Sequence, residues 1–154
     1  MSEPRTWLVA FDFSDHAKAA LERARTQLAA LGGGRLIIAY VHAPATDGAG
    51  IDLGAIGPAF AAHEAAVVAS AEKQLDELLP TLPPVAGGPV AFDKRIITGR
   101  PADKLVALAD EAHAEQIVIG SHGRRGFERF LLGSVAERVL RLAHCSVLVI
   151  KTPH

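Results

Sequence analysis

Residues 120–134 read GSHGRRGFERFLLGS, a glycine-rich segment between a short apolar run and an amphipathic helical pattern. Glycine has no Cβ, so backbone N–H groups in such a segment can turn toward a single point. The start of the helix that follows adds unpaired N–H donors and a partial positive charge. This order of strand, glycine-rich loop and helix predicts a site for a phosphate group.

Strands and helices alternate outward from this segment to both ends of the chain. Apolar runs at residues 6–11 and 35–42 predict two buried strands, and an alternating stretch at residues 90–97 predicts a third. Residues 116–120 and 146–151 are the predicted fourth and fifth strands. Helical spacing fills the intervals, with a last helix over residues 134–144 and a Gly- and Ala-rich loop over residues 45–57. Such alternation implies right-handed parallel crossovers. We expect one α/β domain over residues 1–154, a doubly wound open sheet with helices on both faces.

The composition argues against several classes of partner. The chain carries 16 basic and 17 acidic side chains and a formal net charge of -1, which gives no overall field for holding nucleic acid or an anionic membrane. The single cysteine, Cys145, fits a reducing compartment. The first residues lack the apolar stretch of a signal peptide, and no apolar run reaches membrane-spanning length. We expect a cytoplasmic protein that binds neither nucleic acid nor membrane.

The candidate ligand residues follow the predicted strands, because open parallel sheets bind ligands at the carboxyl ends of their strands. The fourth strand delivers a run of small and polar residues there: Gly120, Ser121, His122 and Gly123. The first strand delivers Asp12 and Ser14. Ser14 is the expected cap of the first helix, which leaves Asp12 to accept hydrogen bonds from a nucleoside or to help hold a phosphate-bound Mg²⁺. Capping is the alternative role for Asp12.

The end of the loop offers a second set of candidates. Ser134 and Glu137 have the spacing of a capping box, and capping alone can account for Ser134. The glycines of the loop exceed what a cap requires, which favours a ligand. Arg124 could neutralise phosphates and His122 could hydrogen-bond one, although loop residues of both types are often only exposed.

The chain resembles the ATP-binding branch of the universal stress protein family. That branch carries the pattern Gly-x2-Gly-x9-Gly-Ser/Thr, and this chain matches it without adjustment at Gly120, Gly123, Gly133 and Ser134. The resemblance covers the whole chain, since it continues at Asp12, Val41, Gly99 and residues 147–150. Ser146 departs from the proline that many members have before the last strand.

The resemblance implies a strand order of 3-2-1-4-5 and a site for ATP or another adenine nucleotide, with Mg²⁺. By position, Asp12 would contact the nucleoside, the Val41 backbone would read the adenine, and Gly120 would lie near the ribose. The phosphates would be bound by Gly123, Gly133, Ser134 and the Val135 N–H.

The resemblance also implies a homodimer, because the last strand in this family commonly pairs with its counterpart. The strand concerned is Val147, Leu148, Val149 and Ile150, and an exposed apolar edge would invite association in any case. The favoured function is a nucleotide-dependent dimeric switch in the stress response, read by an unidentified protein partner. A slow ATPase or a phosphoryl or nucleotidyl transferase is one alternative, and a dimer that binds no ligand is another. The absence of a Walker lysine argues against fast hydrolysis.

Overall fold

The computed structural model describes residues 3–44, 57–123 and 132–152. These ranges contain the strands β1 (Thr6–Ala10), β2 (Gly34–His42), β3 (Val90–Thr98), β4 (Gln116–Gly120) and β5 (Ser146–Ile150). The helices between them are α1 (Asp15–Ala30), α2 (Gly57–Leu78), α3 (Pro101–Glu111) and α4 (Ser134–Leu142). A single 3₁₀ turn, Leu79–Thr81, continues α2 into the proline-rich segment that ends it.

The strands form one parallel sheet in the order β3-β2-β1-β4-β5, which confirms the predicted topology. The chain winds outward from β1 to β3 and then returns to the other side of β1 for β4 and β5. The winding therefore reverses between β1 and β4, and a crevice opens beyond their carboxyl ends.

The two faces of the sheet pack against different helices, because successive side chains of a strand point to opposite sides. On β2, Leu36 and Ile38 belong to the buried cluster shared with α1 and α2. Ile37 and Ala39 belong to the cluster shared with α3 and α4. A strand buried on both faces explains why the sequence of β2 is a continuous apolar run rather than an alternating one.

The predicted element bounds differ from the structure by one or two residues. β1 ends at Ala10 rather than Phe11, although the Phe11 N–H still donates to the Ala39 carbonyl at 2.9 Å. α4 ends at Leu142 rather than His144, because Ala143 has left the helical region with a ψ of 138°. Of the predicted loop at residues 45–57, residues 45–56 lie outside the described ranges, and Gly57 already begins α2.

Candidate functional site

The turn after β1 brings Asp12 to the crevice. Ser14 Oγ accepts a hydrogen bond from the Ala17 N–H at 3.1 Å, so Ser14 caps α1 as predicted. Asp12 Oδ1 accepts hydrogen bonds from the Ser14 N–H, at 3.0 Å, and from the Ser14 hydroxyl. Asp12 therefore holds the turn through Ser14 rather than capping α1 itself, and its role as a ligand residue stays a prediction.

The backbone of this turn is held in an unusual conformation. Phe13 has a φ of 65°, in the left-handed region that residues with a side chain seldom adopt. Its ring packs against Phe11 and Tyr40, with ring centroids 5.0 Å and 5.6 Å apart. Aromatic packing on the core thus fixes the conformation that sets Asp12 at the crevice.

Two glycines of the motif lie where a side chain would collide. A Cβ on Gly120 would be 2.7 Å from His16 Cβ, so this glycine lets α1 cross close to β4. A Cβ on Gly123 would be 2.7 Å from Asp12 Oδ2. The backbone at Gly123 therefore lies directly beside the carboxylate predicted to contact the nucleoside.

The loop that leaves at Gly123 returns at Gly133. A Cβ on Gly133 would be 3.3 Å from His122 Cα and 3.8 Å from the Gly123 nitrogen. The Gly133 N–H donates to the Ser121 carbonyl at 2.6 Å. The Gly133 N–H is therefore already used, and Gly133 can contribute to a ligand site only by leaving room for the ligand. Arg124 lies outside the described residues, so its predicted role stays a prediction.

α4 begins at the point where the loop ends meet. Its N-cap is Gly133, in an extended conformation with a ψ of 160°, and no side chain caps the helix. The predicted capping box of Ser134 and Glu137 is therefore wrong: Ser134 is the first helical residue, and Glu137 accepts a hydrogen bond from Arg141 at 2.6 Å. Because the first N–H groups of a helix have no partner within it, those of Ser134 and Val135 point out of the helix start. An anion needs such donors.

Val41 lies on β2 beyond the end of β1. The Ala39 carbonyl accepts from the Phe11 N–H at 2.9 Å, so the backbone of Ala39 faces β1. Backbone groups alternate in direction along a strand, so those of Val41 also face that side, where β1 has already turned away. The His42 carbonyl faces β3 instead and accepts from the Gly99 N–H at 2.9 Å. The Val41 backbone therefore opens onto the crevice.

Ser121 is the most deeply buried polar residue of the site, with 2% of its surface exposed. Its hydroxyl lies 3.1 Å from His122 Nδ1 and 3.5 Å from His16 Nδ1. Thr152, which follows β5, places its hydroxyl 3.0 Å from the same nitrogen of His16. Sequence reasoning missed both residues, because the crossing of α1 over Gly120 brings His16 here and the pairing of β5 with β4 brings Thr152.

Sequence reasoning also missed the pair of His42 and Glu64. The His42 Nε2 atom contacts the Glu64 carboxylate, and the two side chains are only 14% and 18% exposed. This contact ties the end of β2 to α2 across residues 45–56. No spacing rule relates the two residues, so no signal in the sequence pointed to it.

These features define a doubly wound α/β protein whose candidate site lies where the sheet winding reverses. Within the described ranges, no group of three or more His, Cys, Asp or Glu residues could hold a metal ion. None of the helices found there is long and apolar enough to cross a membrane.

The chain belongs to the universal stress protein family, whose family model matches residues 4–151. It is 31% identical over 147 residues to a universal stress protein of Thermus aquaticus, a match that covers 96% of this chain and 98% of that protein. A universal stress protein of Methanocaldococcus jannaschii is 48% identical over a shorter stretch of 64 residues, 42% of this chain and 38% of that one.

Two solved structures share the architecture. The universal stress protein UspA of Lactobacillus plantarum superposes with a TM-score of 0.75 at 25% identity, over 97% of this chain and 99% of that one. A universal stress protein solved in complex with cAMP has a TM-score of 0.61 at 30% identity, over 99% of this chain and 100% of that one.

Proposed function

We propose that this chain is an ATP-binding regulatory protein of the stress response. It would act as a homodimer whose state depends on bound nucleotide and is recognised by a protein partner. One observation carries the proposal: the start of α4 and the backbone of Gly123 meet beside Asp12. Donors for phosphate and an acceptor for a ribose or amino group thus lie side by side at the reversal of the sheet. A cytoplasmic location remains our expectation, on the grounds of the single Cys145.

An adenine nucleotide suits the rest of the crevice. The outward-facing backbone of Val41 offers one N–H and one carbonyl, which can pair with the edge of a base without any particular side chain. The relative solved with cAMP gives independent support for an adenine nucleotide. Mg²⁺ would be held mainly by the nucleotide phosphates, with Asp12 as the nearby carboxylate of this chain.

The two edges of the sheet support a dimer through β5. β3 carries Asp93, Lys94 and Arg95 in its centre, and charges of this kind protect an edge from pairing with another chain. β5 has no charged residue, and its apolar residues Val147, Leu148 and Val149 are partly exposed. The uncharged edge is therefore the one suited to a second subunit.

The proposed switch joins the nucleotide loop to this edge. The Ser121 N–H donates to the Ile150 carbonyl at 2.8 Å, and the Ser121 carbonyl accepts from Gly133 at the start of α4. Phosphates bound at the start of α4 would therefore act on the end of β5 through Ser121.

Thermal unfolding with and without ATP and Mg²⁺ tests the proposal. Binding should stabilise the wild type by about 2.7 kcal/mol at a hundredfold excess over Kd. Gly123→Val should abolish this gain, because its side chain would collide with Asp12. Gly32→Ala is the matched control: Gly32 lies at the far end of α1, where a Cβ would meet no other atom within 4 Å, so the variant should keep the full gain.

The same experiment separates the alternatives. A wild type that gains no stability in millimolar ATP contradicts the proposal and favours the dimer that binds no ligand. Sustained phosphate release at about 10 per second, a typical enzymatic rate, would favour the enzyme instead.

A further inference from the structure

Two imidazoles share one buried hydroxyl inside the candidate site. Ser121 Oγ lies between the Nδ1 atoms of His16 and His122, and the centroids of the two rings are 5.4 Å apart. A hydroxyl has one proton to donate and lone pairs to accept, so it can bridge both nitrogens at once. The Thr152 hydroxyl lies 3.0 Å from the same Nδ1 atom of His16, so two hydroxyls share this nitrogen. The neighbouring residues thus fix both rings in place.

This pair lies at the phosphate end of the site. His122 stands between the motif glycines, with its Cα next to Gly133, the N-cap of α4. His16 lies in the first turn of α1, immediately after the capped start of that helix. The pair is therefore flanked by two helix N-termini, and both rings retain partial exposure to the crevice.

We propose that His16 and His122 are specificity-determining residues that make the site prefer nucleotides with more phosphate charge. This inference rests on the proposed function, because it assigns residues to the phosphate end of the same nucleotide site. An imidazole donates hydrogen bonds to phosphate oxygens, and it adds a positive charge when protonated. The preference for phosphates should therefore be stronger at pH 6 than at pH 8.

The other charged residues around the pair do not produce this pH dependence. Asp15 precedes His16 and Lys151 precedes Thr152 in the chain, and Asp12 lies against Gly123, the residue after His122. Carboxylates, amines and guanidinium groups have reference pKa values outside the range from 6 to 8, whereas that of imidazole, about 6.5, lies within it. A proton taken up on phosphate binding in this range goes to a histidine or to the terminal phosphate of the nucleotide, whose second pKa is about 6, and the histidine variants separate the two.

The test is a calorimetric titration of the full chain with adenosine, AMP, ADP and ATP at pH 6 and pH 8. The wild type should bind ATP more tightly than adenosine, and the change from pH 8 to pH 6 should favour ATP severalfold more in the wild type than in the histidine variants. His16→Gln and His122→Gln keep a hydrogen-bonding side chain without the charge, so each should reduce the ratio and its pH dependence. The titration of the nucleotide itself is common to all variants and drops out of the comparison.

His144→Gln is the matched control, since His144 is exposed beside Asp110 at the opposite end of the sheet and should behave as wild type. Thermal melting verifies that each variant folds, and His→Asn replaces any Gln variant that does not. If ATP binds but both Gln variants keep the wild-type ratio at both pH values, this inference alone is overturned. If ATP fails to bind at either pH, the proposed function is overturned and the inference with it.

Discussion

His113 ends α3 in a backbone conformation that glycine usually provides. Its φ is 50°, its N–H donates to the Asp110 carbonyl at 3.1 Å, and the Ala114 N–H donates to the Ala109 carbonyl at 2.8 Å. This pair of bonds is a Schellman motif with histidine at the left-handed position. α1 ends in the same way, but Gly32 fills that position, with a φ of 103°.

We predict that His113→Gly raises the free energy of unfolding by about 1 kcal/mol, because it relieves the cost of a left-handed residue with a side chain. The His113 side chain is exposed, so little packing is lost. Gly32→Ala is the reciprocal change and should lower stability by a similar amount. Urea denaturation measures both, and a destabilised His113→Gly variant would contradict this account of the helix end.

At the scale of elements, the two serines at helix starts differ in their roles. Ser14 caps α1 and also bonds Asp12, whereas Ser134 follows the N-cap of α4 and makes no capping bond. We predict that Ser14→Ala lowers the free energy of unfolding by about 1 kcal/mol and that Ser134→Ala leaves it nearly unchanged. Ser134→Ala should instead weaken ATP binding. Equal losses of stability in the two variants would show that Ser134 is a cap after all.

The edge strand β3 is stabilised by a charged cluster that it shares with its neighbour. Asp93 accepts hydrogen bonds from Arg95 Nε on the same strand and from Arg35 Nε on β2, each at 3.1 Å. Hydrogen bonding from Arg95, followed by that from Arg35, holds the pKa of Asp93 below its usual range. The deprotonated carboxylate therefore contributes to the stability of this edge.

We predict that Asp93→Asn lowers the free energy of unfolding at pH 7 and that this difference shrinks in acid. A carboxylate with a lowered folded-state pKa stabilises the fold above its unfolded-state pKa of about 3.9, and the contribution disappears as the pH falls through the folded-state value. Urea denaturation at pH 7, 5 and 3 measures the difference. A difference that is as large at pH 3 as at pH 7 would rule out this origin.

At the scale of the whole molecule, backbone direction identifies an outward-facing residue on each edge of the sheet. The Ile150 carbonyl bonds Ser121 on the β4 side, so the backbone of Val149 faces away from β4 toward the open edge. On β3, the Gly99 N–H bonds β2, so the backbone of Phe92 faces outward in the same way. Proline at either position removes an outward N–H without breaking a bond inside the sheet.

We predict that the wild type sediments as a dimer, that Val149→Pro sediments as a monomer and that Phe92→Pro remains a dimer. The reason is that only the β5 edge supplies backbone donors to a second subunit. Analytical ultracentrifugation measures all three proteins, with far-UV circular dichroism to verify their fold. If Val149→Pro still sediments as a dimer, the interface is not formed by β5.

Much of the fold can be predicted from the sequence, because the three central strands are largely buried and their apolar runs are easily recognised. The run at residues 116–120 predicts β4 where the structure has it. The cap of α4 cannot be predicted in this way, because the choice between Gly133 and Ser134 depends on how the loop returns to Ser121. Contacts such as His16 with Ser121, 105 residues apart, arise from helix crossovers and leave no trace in local spacing.

The candidate site, like the fold, can be predicted from the sequence only in outline. Glycine spacing, together with the rule that ligands bind at the carboxyl ends of parallel strands, identifies the strand ends that form the site. Neither shows which backbone groups remain available to bind a ligand. The Gly133 N–H is used within the chain, whereas the Val41 backbone faces the crevice, and both facts follow only from hydrogen bonds between strands and loops.

The most direct test of the central claim, a nucleotide site between β1 and β4, is a ¹H–¹⁵N NMR titration of the chain with ATP and Mg²⁺. We predict that the amide signals of Asp12, Val41, Gly123, Ser134 and Val135 shift together and saturate. The signals of Gly32 and Ala114, at the opposite end of the sheet, should stay in place. No shifts at millimolar ATP, or shifts confined to residues away from this crevice, would contradict the claim.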